Sequence, residues 1–111
     1  MDLSPDEISG FPSFNSVVEL LAEVEKRPMM WTTKPYISCL KSFLDGWYLG
    51  RNWNNSDAGI MGGFQDWITE KYSVTSSQSW ADIILFYSNG EVEALKNFFS
   101  LFNEFLALSK E

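Results

Sequence analysis

Across residues 92–108 the chain carries one long amphipathic pattern. Val92, Leu95, Phe98, Phe99, Phe102, Phe105 and Leu106 recur three and four apart, and Leu101 and Leu108 widen the stripe. That period belongs to an α-helix, because a strand would alternate every second residue. A face this broad needs more than one neighbouring helix to cover it. The rest of a 111-residue chain must therefore supply partner helices. A chain of this size buries roughly two thirds of its extended surface, enough for one core. The expectation is an all-α fold: a compact single-domain bundle of about five helices over residues 13–111, after an N-terminal tail over 1–12.

The other helices follow from the same period. Pro5, Gly10 and Pro12 make a regular element in the tail improbable. A first helix should begin after Ser13 or Asn15, either of which suits an N-cap. Its apolar face is Phe14, Val17, Val18, Leu21 and Val24, and Pro28 ends it. Residues 28–34 form a connector with Met29, Met30 and Trp31, bulky side chains for a loop. Such a loop is either pinned to the core or presents a contact surface. A second helix should start near Thr33 and Pro35 and bury Ile37, Leu40, Leu44, Trp47 and Tyr48, flanked by Phe43 and Cys39. Gly46 inside it suggests a close helix approach, and Gly50 a stop. A third helix, capped by Ser56 or Asp57, carries Ile60, Phe64, Trp67 and Ile68. A fourth, over residues 77–87 behind a Thr75/Gln78 capping box, carries Trp80, Ile83, Ile84 and Tyr87. Residues 83–87 also suit a strand by composition, but no partner strand is evident. Ser88-Asn89-Gly90-Glu91 fits a turn and a second capping box before the last helix.

Chemistry is sparsely represented. His is absent, which removes the usual general base near neutral pH and the commonest metal ligand. Cys39 is alone, so neither an intrachain disulfide nor a thiolate cluster can form. Beside the core stripe and without a histidine base, it reads as a buried, inert thiol. Asp66 and Glu70 share a helical face and could approximate a carboxylate pair, but a solvated surface is the commoner role. Gly59-Ile60-Met61-Gly62-Gly63 lacks the Lys-Ser or Lys-Thr of a phosphate loop. A non-enzyme without cofactor or metal is expected.

Charge narrows the partners. Fifteen acids against eight bases give a net of −7. That average field repels phosphate backbones and anionic bilayers, so neither nucleic acid nor membrane is expected. A basic protein would be steered inward. The acids before Lys26 are Asp2, Asp6, Glu7, Glu19, Glu23 and Glu25, with no base among them. Asp45, Asp57, Asp66 and Glu70 form a second set. Met29, Met30, Trp31, Trp53 and Tyr72 lie in or beside predicted loops and are residue types enriched at interface cores. The start of the chain is acidic and broken by proline, unlike a signal peptide, and a cytoplasmic location is expected.

Arg27-Pro28-Met29-Met30-Trp31 resembles the Arg-Pro-x-Met-aromatic pattern of a group of small bacterial proteins. In that group a helix with a Gly-aromatic step follows, and residues 40–48, with Gly46-Trp47, resemble it. Phe64-Gln65-Asp66-Trp67 resembles the group's Phe-x-x-Trp segment. Ser79-Trp80-Ala81-Asp82-Ile83-Ile84 and the aromatic-rich stretch 94–106 resemble its later parts. The similarity covers residues from about 20 to 108. Trp31 stands where Tyr is commoner, and Met30 directly precedes it. Several members are similar to immunity proteins encoded beside polymorphic or contact-dependent toxins. The resemblance implies an immunity protein that neutralises a cognate toxin domain by stoichiometric occlusion, with no catalytic residue to carry over. Asp45, Asp66 and Glu70 would supply charge, and Trp31 and Trp53 anchors. The alternative is a non-catalytic structural or regulatory adaptor, such as a homodimer.

Overall fold

The computed structural model describes residues 16–49 and 58–109. Among them every regular element is a helix: α1 (Val17–Lys26), α2 (Pro28–Trp31), α3 (Ile37–Leu49), α4 (Ala58–Lys71), α5 (Trp80–Phe86) and α6 (Glu91–Ser109). The fold is an all-α bundle, as the periodicity predicts. The additional helix is α2, one turn that the sequence reading leaves as a connector. Pro28 opens it at a position where the missing N–H costs nothing. The 83–87 segment resolves as helix through Phe86, not strand.

α6 is the axle. It packs against α3, α4 and α5, which accounts for the width of its apolar face. Ala94, Leu95, Phe98, Phe99, Leu101 and Phe102 are buried along it. Its two ends depart from expectation. Val92 and Leu108 are 43% and 51% exposed, because the stripe outruns the elements that cover it. α1 adds Val17, Leu20, Leu21 and Val24 to the same core, and α3 adds Ile37, Leu40 and Leu44.

Phe64 of α4 is the hub where three helices meet. Its fully buried ring contacts Trp67 and Trp80, and Phe98, Phe102 and Phe105 of α6, at centroid distances of 5.3–6.1 Å. Four of these contacts are edge-to-face. Such pairs each add about 0.5–1.5 kcal/mol beyond area burial.

Several helix starts differ from the sequence reading. α1 is capped by Ser16, whose Oγ accepts from the Glu19 amide at 3.1 Å; Ser13, Phe14 and Asn15 lie outside the described residues. α3 begins at Ile37, after residues 32–35 bend around the Thr32 hydroxyl, whose one proton is within reach of the Lys34 carbonyl at 2.8 Å and the Pro28 carbonyl at 3.0 Å. α5 begins at Trp80, capped by Ser79 instead of the Thr75/Gln78 box. A distant side chain explains the shift. Gln65 of α4 accepts from the Trp80 amide at 2.6 Å and donates to the Gln78 carbonyl at 3.0 Å. Those bonds hold residues 78–80 against α4. The second capping box is also rearranged. Glu93, not Glu91, takes the local amide, accepting from Asn89. Glu91 reaches across to α3, where the Ser38 amide and hydroxyl both donate to its carboxylate.

α4 ends in a Schellman turn. The Ser73 amide donates to the Glu70 carbonyl and the Val74 amide to the Thr69 carbonyl. Ser73 holds φ 54°, the left-handed region usually given to glycine. Gly46 does not serve a close approach: it is exposed, and no described atom lies within 4 Å of where a Cβ would stand. The close glycine is Gly63, whose Cβ position would lie 3.4 Å from the Phe105 ring. Gly50, Ser56 and Asp57 lie outside the described residues.

Candidate functional site

Asp45 sits on the outer side of α3, and its carboxylate is held by Lys41 one turn earlier, at 2.7 Å. That exposed i, i+4 pair contributes a few tenths of a kcal/mol to the helix. Both residues edge an open groove of about 290 Å³ between α3 and α4, floored by Leu44, Met61 and Trp80. Asp66 and Glu70 stand on the solvent face of α4, four residues apart, and both are exposed. Among the described residues neither carboxylate has a hydrogen-bond or ion-pair partner, and neither lines that groove. They do not form a cleft of the kind that a carboxylate-pair mechanism needs.

Trp31 lies elsewhere. It is half-buried, 6.3 Å from the Phe43 ring, and walls a second open groove of about 390 Å³ with Thr32, Ser38, Cys39 and Phe43. The connector thus does both things its composition suggests: Trp31 is pinned to α3, while Met29 and Met30 are 60% and 54% exposed. Cys39 is half-buried. Trp53 lies outside the described residues. The four described candidates are therefore not one constellation. Asp66 and Glu70 share a face, Asp45 is neutralised on another helix, and Trp31 belongs to a separate groove.

A third groove of about 330 Å³ runs between the α1–α2 junction and α6, with Pro28, Pro35, Val92, Leu95 and Phe99 in its walls. Glu25 and Lys96 stand at its rim. Among the described residues there is no group of three or more acids and cysteines placed to hold a metal ion.

The aromatic surface at the end of α5 is not among the sites expected from the sequence. Phe86 is 76% exposed, and Tyr87, expected on the buried face, is 54% exposed. The helix stops at Phe86, so Tyr87 leaves the stripe of Trp80, Ile83 and Ile84. It stacks instead on Tyr72, at 4.7 Å and 17° between planes. Phe86 meets Tyr87 edge-on at 5.0 Å and 79°. One signal is present in the sequence: Phe86 falls out of step with the 80, 83, 84, 87 spacing.

No helix among the described residues is long and apolar enough to cross a membrane. Comparison of the chain with family models, with curated proteins and with solved structures finds no match.

Proposed function

We propose that this chain is an immunity protein: a cytoplasmic, non-catalytic binder that neutralises a cognate toxin domain by occupying its active site or a surface it needs. The observation that carries the reading is the pair Asp66 and Glu70. Two exposed carboxylates without a described partner are mounted on a rigid, core-anchored helix of a strongly acidic chain. Fixed, uncompensated charge of this kind steers and registers a basic partner at little ordering cost. Asp45 adds less, since Lys41 already balances it. Trp31 would act at the edge of its groove.

The adaptor-dimer alternative draws on the aromatic face of α6, whose Phe98, Phe99 and Phe102 are buried in the core and whose Phe105 is partly buried. The test is a tagged pull-down from native lysate, followed by expression of the captured partner's toxic domain with and without this protein. Suppression of that domain's activity at one-to-one stoichiometry is expected. Recovery of the chain alone, as a stable dimer under conditions where the toxin is expressed, would overturn the reading.

A further inference from the structure

Phe86 and Tyr87 are exposed, and the half-buried Tyr72 backs them. Tyr72 and Tyr87 stack face to face, and Phe86 stands nearly perpendicular to Tyr87. The rings of Phe86 and Tyr87 meet at 79° and are 76% and 54% exposed, a corner whose ring surface a cation can reach. Asp82 is exposed four residues before Phe86 and so lies on the same side of α5. Between Lys71 and Lys96 the chain carries Asp82, Glu91 and Glu93 and no base. Glu93 accepts from the Asn89 amide, in the turn that follows Tyr87. Glu91 is spent on Ser38. The nearest base in sequence, Lys71, is engaged by Glu104 at 3.3 Å and lies 5.2 Å from the Trp67 ring centroid.

We infer that this aromatic corner receives an arginine side chain from a basic protein partner. Arginine fits better than lysine because its planar guanidinium is weakly hydrated and stacks on rings while it pairs with a carboxylate. A protein fits better than a free small molecule. Phe86 and Tyr87 are both more than half exposed and line none of the three grooves, so only a surrounding surface can exclude water from them. A second copy of this chain would set the same acids against each other across a two-fold interface. The inference deepens the immunity reading and rests on it only for the partner's role as a toxin; the cation chemistry is read from this surface.

The probe is a synthetic peptide of alternating glycine and arginine, titrated into the full chain and followed by NMR of the aromatic ring protons. Glycine–lysine and glycine–glutamate peptides serve as controls. Selective shifts at Phe86, Tyr87 and Tyr72 are expected. Binding should weaken at least about fivefold in Phe86→Ala and in Asp82→Asn, and with the lysine peptide. Three outcomes overturn it: equal binding of the lysine peptide, shifts centred on the Asp66 and Glu70 face, or ring shifts that grow with protein concentration before any peptide is added. The titration contains no toxin, so its failure leaves the suppression assay to decide the immunity reading separately.

Discussion

Ser73 shows how one residue can carry local strain for an element's sake. Its two-bond Schellman turn satisfies carbonyls that α4 would otherwise leave open, yet the residue is not glycine. A left-handed conformation costs an L-residue about 1–2 kcal/mol, and glycine returns about 0.5–1 of that through its freer unfolded chain. Ser73→Gly should therefore raise stability by about 0.5–1 kcal/mol, read from urea unfolding midpoints. A loss of stability would mean that the Ser73 side chain does something its exposed position does not suggest. Asp45 makes a different point at the same scale. Its pairing with Lys41 follows from i, i+4 spacing alone, so the sequence itself marks Asp45 as the weakest of the three charge candidates.

At the scale of elements, long-range hydrogen bonds move the boundaries that local rules place. Gln65 is the main example, since it fixes residues 78–80 and displaces the start of α5 from Ser77 to Trp80. Gln65→Ala should cost about 1–3 kcal/mol, because the Trp80 amide is left in a part-buried place. Hydrogen exchange at that amide should speed up more than at the α6 amides. Gly46 gives the opposite case. Its position in α3 is helical, exposed and unobstructed, so Gly46→Ala should stabilise the chain by about 0.5–1 kcal/mol in thermal unfolding. Although Leu20 and Ala94, both buried, fall outside the faces that the spacing marks, the stripes of α1 and α6 are in the main legible in the sequence. Helix starts are not, because Ser16, Ser79 and Glu93 each compete with neighbouring capping residues that look equally good locally. The exposure of Tyr87 is hidden for a related reason: its spacing is right, but the helix ends one residue before it.

For the whole molecule, charge is the property that a partner would meet first. Asp66 and Glu70 touch no described partner, so Asp66→Asn with Glu70→Gln should leave the folding free energy within about 0.5 kcal/mol of wild type. The same double variant should slow association with a basic partner severalfold and flatten its dependence on salt, measured by stopped flow between low and high ionic strength. Fold class is legible at this scale because every strong apolar pattern has a helical period. The binding surface is less so, because exposure depends on which stripes outrun their cover.

The ring cluster around Phe64 has a consequence for how the chain is made. Phe64, Trp67 and Trp80 are synthesised before Phe98, Phe102 and Phe105, the rings that enclose them. Until α6 has left the ribosome, α4 and α5 carry a bare aromatic surface with nothing to close it. A chain halted before residue 98 would lack the rings that cover Phe64, and exposed apolar surface of that kind is what makes incomplete folds prone to aggregate.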